Sequence, residues 1–378
     1  MKYFILPIAA LLLISCGGNS DQSSAGNYAD ITISMDTVVV DSGDEILMAA
    51  TNFYNQTLNQ SADRLYFWNY RSHILEIVDL NEMVFLEKRR FEKEGPNGVG
   101  QFPNRIILIG EDKIGFVQWT QINIADMNGN LLKTISIDED WMKGELNENE
   151  SLIPYGFSDD GETLYCAIAT PQRLNSNFIE VDLTNKKTKL IELTEFDKRE
   201  KFRVTFTVEM NGGISTSTAP PSLDYTRHKD KLIFCTNVFN NIYQFDPKTN
   251  SLEYITISNS LTPNEKIKDY ENDVNSEEAF FRIMNEIQEE VSFSNLLWDD
   301  VNHVFYRITS FNMPRIDQEK IKSKVFISII SEDFKVINEK EITDNVDGVP
   351  KAQFVKDGKI HAFLNVDDEL GYVRIKVN

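Results

Sequence analysis

The chain has 378 residues, with 38 Lys and Arg against 59 Asp and Glu, a formal charge of -21 at neutral pH. A surface this acidic repels phosphate backbones and anionic headgroups, so no nucleic-acid partner is expected, and the charge reads first as a solubility device. Length alone suggests two or three domains, but closed arrays grow by copying one unit, and the repeats described below make that prior misleading.

The N-terminus reads as an address. Lys2 supplies a positive start and residues 3–14 an apolar run too short to span a bilayer comfortably. The run ends Leu13-Ile14-Ser15-Cys16, which resembles the lipobox of bacterial lipoproteins. That resemblance implies a signal peptide over 1–15 and a diacylglycerol-bearing, N-acylated Cys16. Several acyl chains together anchor far better than one. Gly17 follows, without the aspartate associated with inner-membrane retention, so an outer-membrane anchor facing the periplasm or the cell surface is expected. Residues 16–29, rich in Ser, Gly and Asn, form a flexible tether, leaving 30–378 as the folded domain.

Residues 31–40 (ITISMDTVVV) are β-branched and read as a strand. The clearest unit is 155–193, four short strands joined by turns: 155–157, Ser158-Asp159-Asp160-Gly161, the alternating Thr163–Ala169, a polar loop, 178–181, Asp182–Lys186 and 188–193. Its signature, apolar-x-apolar followed by Asp before a turn, recurs at Asp79, Asp126, Asp182 and Asp246. Each is preceded by a strand opening on a polar residue: Arg64, Lys113, Thr163 and Lys231. Looser units begin at His303 and Lys359. About six repeats of roughly 45–70 residues predict an all-β fold, a six-bladed β-propeller of four-stranded antiparallel blades. The C-terminal unit stops at its third strand, so 31–40 is expected to supply the fourth and close the ring.

Connectors at 91–104, 138–154, 192–224 and 258–295 are the long ones, and binding sites gather on such loops. Within the last, 276–291 predicts a helix inserted at about 262–292. Ser276 caps it, Glu277 and Glu278 suit its dipole, and Phe280, Met284, Ile287 and Val291 form an apolar stripe. The stripe is expected to dock onto the propeller, with a partner-binding helix as the other reading. Of three cysteines, Cys166 and Cys235 remain after lipidation and read as buried and unpaired, in a compartment that permits a disulfide.

Gly95, Gly98 and Gly100 are not followed by a helix or a Lys-Ser pair, so they do not form a phosphate cradle. Residues 138–149 have acidic density, but Lys143 and Asn149 stand where a calcium loop needs Gly and Glu. Residues 158–163 are one residue short of an aspartate box and read as a hairpin turn. His73, His228, His303 and His361 have no metal spacing, and neither metal nor cofactor is expected. Trp68, Tyr70, Arg71 and His73 lie around a loop between second and third strands. Trp119 and Arg173 occupy corresponding loops, and Arg315 another. Aromatics and arginines converging at a ring mouth can bind a sugar or a peptide carboxylate; ordinary loop packing is the competing reading.

The lipobox, the tether, the segment EGPNGVGQFP and the stretch Leu296-Leu297-Trp298-Asp299-Asp300 through Phe305-Tyr306-Arg307-Ile308 together resemble an uncharacterised family of Gram-negative lipoproteins. That family is classed as a domain of unknown function with a six-bladed propeller. The resemblance implies fold and location and brings no catalytic residues. The first functional reading is a membrane-anchored, non-catalytic binding module for a protein or glycan at the loop-rich face. The second is a hydrolase or lyase acting on polysaccharide. A third is a structural envelope subunit contacting its neighbours through the 276–291 helix.

Overall fold

The computed structural model describes residues 28, 30–48, 55–171, 173–210, 212–314 and 321–378. The 1–15 leader, Cys16, the tether up to residue 27 and Arg315 lie outside the described residues.

The strands follow the chain in sheets. After β1 (Ile33–Val39) come β2 (Gln56–Leu58), β3 (Arg64–Asn69), β4 (Ile74–Asp79) and β5 (Val84–Arg90). The next set is β6 (Arg105–Ile109), β7 (Lys113–Val117), β8 (Gln121–Asp126) and β9 (Leu131–Ser136). A third is β10 (Ser151–Phe157), β11 (Thr163–Ala169), β12 (Phe178–Asp182) and β13 (Lys187–Ile191). Then β14 (Val204–Met210) and β15 (Gly213–Ala219) form a hairpin before β16 (Leu223–His228), β17 (Lys231–Thr236), β18 (Ile242–Asp246) and β19 (Ser251–Ile255). β20 (Asp273–Val274) precedes helix α1 (Glu277–Gln288). β21 (Ser292–Phe293), β22 (Leu297–Asp299), β23 (Val304–Asn312), β24 (Ser323–Ser331) and β25 (Val336–Glu341) make the fifth set, and β26 (Phe354–Lys356), β27 (Lys359–Val366) and β28 (Glu369–Val377) end the chain. Within each set, sequential strands pair antiparallel as up-and-down sheets, except in the fifth set, where β21 and β22 both pair with β23.

The recurring aspartate has a local cause. At the ends of β4, β8, β12, β18 and β22, the Oδ1 atoms of Asp79, Asp126, Asp182, Asp246 and Asp299 each accept two backbone N–H groups from the following turn, at 2.8 to 3.2 Å. A carboxylate that caps its own turn sets the hairpin geometry, so the residue repeats wherever the turn repeats.

Middle strands are buried on both faces: in β11, the five residues between Thr163 and Ala169 are all buried. Face-to-face packing of neighbouring sheets requires this. One core joins β2–β5 to β6–β9 around Trp68 and Phe116, and the next joins β6–β9 to β10–β13 around Ile122 and Leu164. Others link β10–β13 to β16–β19 and β16–β19 to β21–β25. The last two join β21–β25 to β26–β28, and β26–β28 to β2–β5. The last strand of a set turns polar; β5 carries Glu87, Lys88, Arg89 and Arg90, a charged edge that discourages pairing with another chain.

β1 lies against β28 in register from Ile33–Val377 to Val39–Gly371, as the outer strand of a four-stranded sheet ordered β1-β28-β27-β26. Tyr28, placed in the tether by composition, is buried in the core between β21–β25 and β26–β28, and its carbonyl accepts from Asn338 Nδ2 at 2.5 Å.

The helix starts one residue after Ser276, whose side chain accepts the Ala279 N–H at 3.2 Å. Its buried residues are Phe280 and Ile283, with Met284 and Ile287 partly buried; Val291 is buried beyond the helix end. The stripe docks on Val204 and Val274, in a small sheet ordered β15-β14-β20, rather than on the main sheets. The 204–219 hairpin was legible only as a connector, because β15 (GISTSTA) carries no buried face. Cys166 and Cys235 are buried and unbridged. Among the described residues no helix is long and apolar enough to cross a membrane.

Candidate functional site

β2 lies beside β6, and β6 beside β10, so the first strands of successive sheets converge. Two cavities, of about 690 and 520 Å³, open where they meet and share Ile153, Tyr155 and Asp224. The larger is walled by Gln56 and Thr57 of β2, Arg105 of β6 and Pro154 of β10. The smaller extends outward past Arg173, Arg199, Arg203 and the Pro220-Pro221 pair.

Tyr155 reaches both cavities because of a backbone irregularity. The β10–β11 register shifts between Pro154 and Gly156, leaving Tyr155 unpaired in the ladder, and such a bulge re-aims a side chain. Pro154 fits this edge strand because no ladder donor is needed there. Gly156 leaves space for a neighbour: a Cβ there would stand 2.0 Å from Tyr225 Oη. The Tyr155 hydroxyl donates to the Leu223 carbonyl at 3.1 Å. The Arg105 guanidinium lies 4.7 Å over the Tyr155 ring and donates to the Pro154 carbonyl at 3.0 Å.

Among the described residues, Asp224 is the one acid in the walls of either cavity. It accepts the Tyr225 N–H at 2.8 Å and Asn295 Nδ2 at 3.1 Å. Burial raises its pKa against these hydrogen bonds and the nearby positive charge of Arg105.

Arg199 comes from the 3₁₀ helix Thr194–Phe202, where residues three apart eclipse. Phe196, Arg199 and Phe202 therefore share one buried face, and Arg199 is carried inside with 4% of its surface exposed. Its Nη1 donates to Ser176 Oγ at 3.3 Å and its Nη2 to the Pro221 carbonyl at 3.0 Å, while Nε has no partner among the described residues. Burial lowers its pKa to about 10, so it is charged at neutral pH. Arg203 is held by Glu200 at 2.7 Å and Asp273 at 3.1 Å, and also donates to Thr205 Oγ1. Arg173 is exposed on the loop between β11 and β12. Among the described residues no group of three His, Cys, Asp or Glu is placed to hold a metal ion.

The residues picked from sequence do not form one cluster. Trp68, Tyr70 and Arg71 wall a separate cavity of about 420 Å³. Arg71 Nε donates to the Tyr70 hydroxyl at 3.3 Å. Trp68 has no exposed surface; its Nε1 donates to the Pro103 carbonyl at 2.7 Å. His73 is also buried, with Nε2 at 2.8 Å from the Gly100 carbonyl. These two side chains pin the EGPNGVGQFP segment against the first sheet, with Phe91 and Val99 in the same core. Trp119 stands 89% exposed. Of the candidates among the described residues, Arg173 alone reaches the 520 Å³ cavity. Arg199, Arg203, Tyr155, Asp224 and Arg105 were missed. The one readable signal was Phe196-x-x-Arg199-x-x-Phe202, a period of three inside a charged stretch that otherwise reads as solvated.

Antiparallel sheets packed face to face, with first strands converging on an open cavity, define a propeller-like all-β protein. The chain belongs to the family described as Domain of unknown function (DUF4221), whose model matches residues 28–341. A crystal structure of a member of that family from Bacteroides vulgatus is similar over 92% of this chain and 98% of its own, at 14% identity and a TM-score of 0.63. A putative exported protein from Bacteroides fragilis is similar over 92% of this chain and 95% of its own, at 9% identity and a TM-score of 0.51. A β-propeller domain from Myceliophteria thermophila aligns over 84% of this chain and 95% of its own, at 10% identity and a TM-score of 0.37. At these identities the likeness concerns the fold alone. No curated protein matches in sequence.

Proposed function

We propose that the protein is a lipid-anchored envelope lipoprotein, tethered by Cys16 to the outer membrane, whose domain is a non-catalytic binding module for a protein or glycan. The domain in this reading is a six-bladed propeller with β1 closing the ring. Six cores, each shared by two sheets and the last linking β26–β28 to β2–β5, support that count and closure. The observation that carries the binding role is the pair of open cavities, built by side chains from several sheets where the first strands converge. Among the described residues their walls hold a single acid, Asp224. Glycoside hydrolysis ordinarily needs two carboxyl groups about 5–10 Å apart, so the polysaccharide hydrolase reading is the weaker one.

The test is affinity capture by the full chain from detergent-solubilised membranes, with a Cys16→Ala control and mass analysis of the mature N-terminus. Acyl chains on Cys16 and a stoichiometric partner or glycan, lost when cavity residues are changed, are expected. An unmodified Cys16 would refute the anchor. Turnover of a polysaccharide would refute the non-catalytic reading.

A further inference from the structure

The 520 Å³ cavity carries a charge at odds with the rest of the molecule. The chain is at -21 overall, yet three arginines meet here: Arg173, Arg199 and Arg203. Arg203 is spoken for by Glu200 and Asp273. Arg199 is not. Among the described residues it has no carboxylate partner, and it makes two hydrogen bonds, both to neutral oxygens. A buried guanidinium without an anion is costly to keep unless its remaining donors find one.

Arg307 provides the contrast within the same protein. It too is fully buried and, among the described residues, without an acid, but its Nε donates to Ser294, its Nη1 to the backbone and side chain of Asn240 and its Nη2 to Thr236. Arg307 is a staple between segments, with every nitrogen in use. Arg199 instead lines an open cavity, its Nε buried and without a partner among the described residues, and the exposed Arg173 lines the same cavity.

We propose that this cavity binds the carboxylate of a small ligand, held by Arg199 and Arg173, with Asp224 accepting a hydroxyl or ammonium hydrogen from the same molecule. This rests on the binding-module reading and names its ligand chemistry. Planar guanidinium groups match a carboxylate with paired N–H···O bonds. Arg203, oriented by its own acids, shapes the wall and adds to the field. Asp224, in the same cavity, disfavours a second negative group, which selects a monocarboxylate over a phosphate ester. An acidic sugar and a peptide C-terminus present the same carboxylate.

The experiment is calorimetric titration of the full chain in detergent with D-glucuronate and with glycylalanine. Methyl glucoside and glycylalanine amide serve as counterparts that lack the carboxylate. At least one carboxylate is expected to bind, its carboxylate-free counterpart much more weakly, with affinity falling as salt rises. Arg173→Gln and Arg199→Gln should each weaken binding by roughly tenfold or more, the loss of one charge-assisted contact. Which carboxylate binds identifies the source. Arg173 is exposed, so its variant tests the idea even where Arg199→Gln fails to fold. The proposal is overturned if neither carboxylate binds, if the carboxylate-free counterparts bind as well, or if Arg173→Gln leaves affinity unchanged. A partner captured from membranes by a protein that binds no carboxylate would sink this inference and leave the binding-module reading standing.

Discussion

Trp68 was a candidate ligand residue by sequence, and its surroundings predict a different phenotype. The indole has no exposed surface, packs edge-on to Phe116 at 4.8 Å and Phe91 at 6.0 Å, and holds the Pro103 carbonyl at 2.7 Å. Replacing it with alanine removes a large buried ring from a closed core, a change that costs about 3–5 kcal/mol. Trp68→Phe keeps most of the ring contacts and removes the donor, leaving the Pro103 carbonyl unsatisfied at about 1–3 kcal/mol. The two variants should therefore rank in that order in urea unfolding followed by far-UV circular dichroism, both unfolding earlier than wild type. Ligand binding by the folded fraction of Trp68→Phe should be unchanged. A Trp68→Phe protein with wild-type stability would refute the structural assignment. So would one that keeps its stability but loses its ligand.

Gly156→Ala should destabilise by about 1–3 kcal/mol, because the new methyl overlaps the Tyr225 hydroxyl. Tyr225→Phe should restore most of that loss in the double variant, and additive losses would count against the contact. His361 is buried against Phe354 at 4.9 Å, and burial lowers its pKa to about 4. The unfolded chain takes up a proton near pH 6.5 that the folded protein refuses. This contribution is therefore whole above about pH 6.5 and declines by up to about 3 kcal/mol as pH falls toward 4. His361→Gln should flatten the stability profile in that window, and an unchanged slope would remove the group from the account. The turn aspartates titrate lower. Hydrogen bonds from Asn130 to Asp126 and from Asn185 to Asp182 hold their pKa values below the usual range, so what they contribute is lost as pH drops through those lowered values. Asp182→Asn should keep the turn and shallow the acid transition below about pH 4; a steeper one would contradict this. Cys166 and Cys235 should resist a thiol reagent in the folded protein and both react in urea, whereas zero thiols on unfolding would mean a bridge.

Much of the local structure could be read directly. Thr163–Ala169 and Ile242–Asp246 fall where alternation and the aspartate placed them, because a strand buried on both faces and a turn closed by its own carboxylate are local statements. The helix was legible from Ser276 and a period of 3.6 for the same reason. The candidate site was not. Trp68 and His73 have side chains equally suited to a ligand or to a backbone carbonyl, and only the arrival of Gly100 and Pro103 decided between them. Tyr155 and Arg105 meet across two sheets, and Asp224 joins them from a third.

The repeating hairpin, its turn chemistry and the all-β class follow from local patterns, since each depends on residues within one turn or strand of each other. Tertiary structure alone decided that Arg199 is buried rather than solvated. The surrounding residues are charged, and only the docking of Phe196 and Phe202 between sheets rotates the guanidinium inward. It also decided which arginines share a cavity, because that depends on how the sheets pack and not on spacing along the chain.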